Sequence, residues 1–301
     1  MVCARPGTTA SHLRSGFAVL LLGGVAAMGA SHSASAQVTT EFLFSTDNDE
    51  KLQNKLVYRE DVWTFDTSQA LGSEITEILA QTGASMFTAG GQVDAFTWRD
   101  GIYYFSTAGP STLADNGLVI DKDDIVRYDP SAAAGSRAAL HYDPDLHGTD
   151  SNVNALSFHS DGDLLVSFDS NETFAGLGVL DGDILKFDLA DPVGTRSIFF
   201  SESTFTSGDE DIAGFEFVSA TEMYLTVQAD GQLPGSPLFT QSDIVRWDGS
   251  SGTIVVHGGD FGSTDAFNLD AIGAVPEPSL VLVLAIAAGR GFRRRREAAT
   301  P

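Results

Sequence analysis

A repeat of about 60 residues runs through the middle of the chain and limits the folds open to it more than any other feature. Asp61-Val62-Trp63-Thr64-Phe65-Asp66 recurs as Asp124-Ile125-Val126-Arg127-Tyr128-Asp129, as Asp183-Ile184-Leu185-Lys186-Phe187-Asp188 and as Asp243-Ile244-Val245-Arg246-Trp247-Asp248. A second motif keeps the same step: Val93-Asp94-Ala95-Phe96, Val153-Asn154-Ala155-Leu156, Ile212-Ala213-Gly214-Phe215 and Leu269-Asp270-Ala271-Ile272. Its third position is always Ala or Gly, which suits strands crowded together near the axis of a radial array. A further apolar run follows at Ile102-Tyr103-Tyr104-Phe105, Leu164-Leu165-Val166-Ser167 and Met223-Tyr224-Leu225-Thr226, with Phe42-Leu43-Phe44-Ser45 as an orphan first copy. The last strand of each unit is expected at 74–79, 138–142, 197–200 and 253–256.

Four short strands per unit, separated by Gly, Asp and Ser turns, are the pattern of a propeller blade. The chain enters at the second strand of a unit, and the missing first strand, 269–272, appears after the fourth. The expectation is an all-β four-bladed β-propeller over 38–275, with four-stranded blades closed by a C-terminal strand and flanked by hydrophobic helices at the two ends. A β-sandwich or an open solenoid would also accommodate the repeat; closure by the final strand, which removes exposed sheet edges, favours the ring.

The formal charge is −24, and the body is more acidic than that figure. Only Glu277 and Glu297 of the acids lie outside 37–275, whereas Arg5, Arg14, Arg290 and Arg293 to Arg296 all do. Such a surface repels nucleic acid and anionic lipid and attracts cations. The single cysteine, Cys3, sits near the N-terminus, so the body has no thiol for a disulfide, a zinc site or nucleophilic catalysis.

Asp61, Asp124, Asp183 and Asp243 occupy one position in four units. Facing the axis, they would converge and require a cation such as Ca²⁺; facing a rim, each would close a turn. Asp47-Asn48-Asp49-Glu50 and Asp121-Lys122-Asp123-Asp124 are further acidic loops able to take Ca²⁺, though neither follows the EF-hand spacing. Arg127, Lys186 and Arg246 share the polar face of the third strand and are expected to pair with flanking Asp. The histidines of the body, His141, His147, His159 and His257, lack metal-site spacing. No Gly-x-Ser-x-Gly, His-Glu-x-x-His or Walker loop occurs. No catalytic residue and no cofactor are therefore assigned from sequence.

The ends carry targeting information. Arg5 and Arg14 precede an apolar run over 16–30, and Ala34-Ser35-Ala36 stands before Gln37, the pattern of a secretory signal peptide spanning 1–36 and cleaved after Ala36. An uncleaved anchor fits less well, because the run is short and broken by Gly. At the other end Pro276-Glu277-Pro278 precedes the apolar segment 280–289 and the cluster Arg293, Arg294, Arg295 and Arg296. Two prolines keep the box extended, and the arginines hold the tail on the cytoplasmic side. Over 275–296 the chain resembles the PEP-CTERM sorting domain of Gram-negative bacteria, whose box, apolar helix and Arg cluster occur in this order. Arg290 and Gly291 depart from that pattern by shortening the apolar segment.

The resemblance implies an exosortase-like membrane protease as partner, with membrane contact through the C-terminal segment before processing. It also implies delivery through the inner membrane to the cell surface or beyond, and an association with exopolysaccharide. The body is expected to be a non-enzymatic module that binds polysaccharide or protein. The alternative is a secreted carbohydrate-active enzyme using Asp or Glu in the propeller funnel; convergent carboxylates and aromatics at one mouth would favour it.

Overall fold

Each repeat becomes one antiparallel sheet of four strands. In the computed structural model, residues 41–274 are described except 54, 60, 70–74, 78–85, 90 and 264–266. The expected signal peptide, with Ala34, Ala36 and Gln37, lies outside the described residues, as do Pro276, Glu277, Pro278 and Arg293 to Arg296. Among the described residues no helix is long and apolar enough to cross a membrane.

Sheet I joins the two ends of the body: Leu269–Ala274, Glu41–Thr46, Trp63–Asp66 and Ile75–Glu77, from the inside outward. Sheet II contains Val93–Arg99, Ile102–Thr107, Ile125–Tyr128 and Ala138–Tyr142. Sheet III contains Val153–Phe158, Leu164–Phe168, Ile184–Phe187 and Ser197–Phe200. Sheet IV contains Ile212–Ser219, Glu222–Val227, Ile244–Trp247 and Gly252–Val256. The C-terminal strand pairs with the N-terminal one in the register Phe42↔Ala274, Leu43↔Gly273 and Phe44↔Ile272. Every innermost strand packs against the innermost strands of the two neighbouring sheets, so the four close a ring.

The cores lie between the sheets, one at each junction. Phe42, Phe44, Trp63 and Phe65 of sheet I meet Tyr224, Ile244 and Val256 of sheet IV. Leu43 and Ala271 of sheet I meet Phe96, Phe105 and Val126 of sheet II. Ala95 and Ile125 pack with Leu156, Leu164 and Phe187, and Leu165 and Ile184 pack with Phe215, Leu225 and Val245. A sheet buried on both faces needs apolar residues without strict alternation, which is why Leu164–Phe168 is buried throughout. Each such large side chain contributes about 1.5–3 kcal/mol on burial.

The four-strand expectation for each unit is incomplete. Between its second and third strands each sheet inserts a further excursion: the hairpin Glu50–Leu52 with Lys55–Val57, Ser111–Leu113 with Val119–Ile120, Glu172–Phe174 with Leu177–Val179, and in sheet IV the bridge Gly231↔Phe239. Each excursion delivers an apolar plug to one core: Leu52 and Val57, Leu113 and Ile120, Phe174 and Val179, Leu233 and Phe239.

The small third position of the second motif does what crowding demands. A Cβ on Gly214 would stand 2.8 Å from the Ile272 nitrogen of the neighbouring innermost strand, a distance that no side chain tolerates. Ala95, Ala155 and Ala271 are buried at the equivalent places.

Candidate functional site at the mouth of the ring

The innermost strands share a β-bulge, and it builds a polar mouth. Register jumps from Val153↔Phe168 to Ala155↔Ser167, and from Ile212↔Val227 to Gly214↔Thr226. The same extra residue appears between Val93↔Thr107 and Phe96↔Phe105, and between Ser45↔Ala271 and Thr46↔Leu269. A bulge re-aims a side chain. Those concerned are Asp94, Asn154, Ala213 and Asp270, the second position of the motif.

Three of the four junctions then make the same bond, from the bulge residue of one sheet to the residue that precedes the innermost strand of the next. Gln92 Nε2 donates to Asp270 Oδ2 at 3.3 Å. Asn152 Nδ2 donates to Asp94 Oδ2. Asn154 Nδ2 donates to Asp211 Oδ1 at 3.1 Å and to the Ile212 carbonyl at 2.8 Å. At the fourth junction Ala213 offers no polar group, and Asn268 Nδ2 donates to Asp47 Oδ2 at 2.9 Å instead. Gln228 Nε2 reaches Asn154 Oδ1 at 3.3 Å from the rim. Among the described residues, the buried atoms Asn152 Oδ1 and Asp47 Oδ1 meet no hydrogen-bond partner.

The floor holds two carboxyls in one place. Asp94 and Asp270 are 4% and 6% exposed and close enough for each to act on the other's carboxyl. Burial, and then the charge of Asp270, drives the Asp94 carboxyl well above the usual range. Burial likewise pushes Asp270 up to about 7. At the rim, burial and the neighbouring Asp181 raise Asp211 to about 8, with Asp169 and Glu202 adding to the effect. Among the described residues no ion pair relieves Asp94, Asp211 or Asp270. At the other end of the same strands Thr97 Oγ1 donates to Glu216 Oε2 at 2.9 Å, and burial raises that carboxyl to about 8. A lining of this kind offers hydrogen-bond donors and acceptors to hydroxyls and amines.

Asp61, Asp124, Asp183 and Asp243 stand one per sheet just before the third strand, and each sits in its own turn. The backbone N–H groups of Asp61, Asp124, Asp183 and Asp243 donate to the carbonyls of Tyr58, Asp121, Leu180 and Thr240. The Asp124, Asp183 and Asp243 carboxylates accept in return from the N–H groups of Asp121, Leu180 and Thr240 at 2.8, 3.0 and 2.8 Å. The second oxygens of Asp183 and Asp243 reach the 3₁₀ turn after the fourth strand, accepting from Glu202 and Gly258 N–H at 2.8 Å each. Sheet II has Pro144 at that point, without an N–H to give.

Among the described residues two carboxylate groups do converge within 4.8 Å: Asp123, Asp143 and Asp145, and Asp181, Glu202 and Asp209. The first includes a residue of the acidic loop 121–124. In the loop 47–50, Asp49 accepts from the Arg59 N–H at 3.3 Å.

The strand bases are paired. Arg127 meets the flanking Asp129 at 3.2 Å, as expected, whereas Lys186 meets Asp161 and Asp163 at 2.6 and 3.2 Å, and Arg246 meets Glu222 at 2.7 Å. Asp161 and Asp163 lie on the turn between the first and second strands of sheet III, and Glu222 opens the second strand of sheet IV, placements that sequence distance concealed. His159 binds Asp161 at 2.7 Å, and His141 packs on Tyr104 and Phe158. A cleft of about 290 Å³ at the outer edge of sheets III and IV is lined by Phe199, Met223, Trp247 and the already paired Glu222.

No family model matches the chain, and no curated protein matches it in sequence. Among solved structures, YCF48 bound to a D1 peptide is 11% identical over 67% of this chain and 48% of its own, with a TM-score of 0.31. Virginiamycin B lyase from Staphylococcus aureus is 10% identical over 73% of this chain and 70% of its own, at TM-score 0.30. A protein of unknown function from Bacteroides caccae is 7% identical over 79% of this chain and 100% of its own, at TM-score 0.36. The chain spans about half the length of the YCF48 chain that it matches. Similarity at this level bears on no residue of the mouth.

Proposed function

We propose that this is an exported surface or matrix protein whose body, a closed four-bladed β-propeller, binds polysaccharide at the mouth of its ring without acting on it chemically. Its signal peptide 1–36 directs export, and an exosortase-like membrane protease reads Pro276-Glu277-Pro278 in the tail. The observation that carries the binding is the repeated pairing of carboxyl and amide side chains around the mouth, Gln92 with Asp270, Asn152 with Asp94 and Asn154 with Asp211. Amide and carboxyl groups fixed by each other present donors and acceptors in set directions, which suits the hydroxyls of a sugar. The surrounding charge selects against anionic chains, so the ligand is a neutral or amine-bearing glycan.

Convergent carboxylates at one mouth are also what a carbohydrate-active enzyme would need. Glycoside hydrolysis requires two carboxyls about 5–10 Å apart, with the sugar between them. Asp94 and Asp270 are instead buried side by side, with no room for a sugar between them, which supports the binding reading.

The test is retention of the full chain on a neutral glucan, on chitosan oligomers and on alginate in EDTA. Binding to the first or second, but not the third, is expected, with at least a tenfold loss in Gln228→Ala combined with Asp169→Asn, two exposed rim positions. Unchanged retention in that double variant overturns the site, and release of reducing ends from the glycan restores the enzyme reading.

A further inference from the structure

The geometry points to a site for a hard divalent cation, of which Ca²⁺ is the class that fits, held by Asp181, Glu202 and Asp209 beside the mouth. One carboxylate oxygen from each of the three lies within 4.8 Å of the others. The three come from different segments. Asp181 stands on the turn before the third strand of sheet III, Glu202 opens the 3₁₀ turn after its fourth strand, and Asp209 lies on the loop leading into sheet IV. Three carboxylates brought together from three segments repel one another unless a proton or a cation lies between them.

A second observation points at the same spot. Glu202 is 8% exposed, and its Oε2 meets no hydrogen-bond partner among the described residues. A buried carboxylate oxygen without a donor is costly, and a metal ion removes that cost. The backbone is shaped to permit the approach. A Cβ on Gly182 would stand 2.5 Å from Glu202 Cγ and 2.2 Å from the Glu210 carbonyl oxygen, so only glycine lets the two segments close over residue 182. The Asp183 carboxylate fixes the start of the 3₁₀ turn by accepting the Glu202 N–H, which leaves the Glu202 side chain free to turn inward.

The donor set is all oxygen. Calcium takes six to eight oxygen ligands at about 2.3–2.6 Å and tolerates irregular geometry, so three carboxylates completed by water suffice. Magnesium requires a tighter octahedron and sheds water reluctantly. Asp209 is exposed and gives the ion a way in, while Glu202 closes the inner side. Among the described residues no Lys, Arg or His forms an ion pair with any of the three. The site does not depend on glycan binding, and its test uses the metal alone.

The full chain, stripped with EDTA and exchanged into buffer at pH 7.5, is titrated with CaCl₂ by calorimetry, with a thermal melt at each concentration. Saturable binding that raises Tm is expected, in the range of about 10⁻⁴ to 10⁻³ M found in extracellular calcium modules, with MgCl₂ at least tenfold weaker. Asp209→Asn, at an exposed position that leaves the fold alone, removes one calcium equivalent or weakens it at least tenfold. Glu202→Gln, which keeps the shape of a buried group, does the same. Counting equivalents keeps the result distinct from any ion taken up by Asp123, Asp143 and Asp145. Absence of saturable binding, tighter binding of Mg²⁺, or wild-type stoichiometry and affinity in either variant would overturn the assignment.

Discussion

Buried carboxyls set how this protein responds to pH, and the sign is opposite to that of ordinary salt-bridged acids. Asp270 and Glu202 are raised to about 7, and Asp211 and Glu216 to about 8, from 3.8 or 4.5, in each case first by burial. A group whose folded value lies above its unfolded value holds extra protons in the folded state between the two. Its contribution is therefore complete below about pH 4 and is lost as pH climbs through about 7 to 8. Hydrogen-bonded surface acids such as Asp66, Asp129 and Asp248 are lowered and act the other way, but only in more acidic solution. In EDTA the Tm should consequently peak near pH 5 and fall steadily to pH 8; a flat or rising profile would show that these groups are not buried as described. Asp94→Asn isolates the pair. The amide can still donate to Asp270 and accept from Asn152, and the like charge is gone. The variant should gain about 1 kcal/mol at pH 8, roughly 2–4 °C in Tm, and little at pH 5. The residues responsible were visible in the second motif, where Asp, Asn, Ala and Asp interrupt an apolar strand and Gln92, Asn152, Asp211 and Asn268 precede it. Their meeting was not visible, because it depends on a bulge and on the neighbouring sheet, neither of which one strand's sequence encodes.

At the scale of the strand, apolar runs and turn residues were enough to find all sixteen sheet positions to within a few residues. The inserted hairpins escaped because strands of two or three residues such as Glu50-Lys51-Leu52 are too short to carry a periodicity. The small position of the motif was legible for a steric reason, and it gives a quantitative test. Gly214→Ala would drive a Cβ to 2.8 Å from the Ile272 nitrogen and 3.1 Å from Ala271 Cα. Backbone cannot yield as a flexible side chain can, so a loss of about 1–3 kcal/mol in urea unfolding is expected. A variant as stable as the parent would mean that the innermost strands do not approach so closely. The closing strand makes a second test. Removing residues 268–274 strips the partner from Phe42 to Ser45 and leaves a long apolar edge, which should appear as aggregation in light scattering. A monomeric, soluble product would show that the ring does not need it.

For the molecule as a whole, the proposed reading assigns delivery and binding to different parts of the chain, so the two should break separately. Two prolines disfavour a helix or a central strand at the box, which on the proposed reading would offer a membrane protease an extended segment to grip. The apolar segment behind it is shorter than the roughly 20 residues of a stable span, which suits a temporary hold better than a permanent one. On the same reading, export depends on the N-terminal signal, which is read first. Replacing Pro276, Glu277 and Pro278 by Ala should therefore leave passage through the inner membrane intact and trap an uncut precursor in the membrane fraction. Replacing Arg293 to Arg296 by Ser should act at another step, because loss of the positive cluster lets the segment slip outward and lowers processing without altering the box. Intact mass of the wild-type extracellular protein decides between cutting and permanent anchorage. A chain that begins at Gln37 and ends near the box is expected, whereas one recovered outside the cell with residues 280–301 still attached would refute processing by an exosortase-like protease.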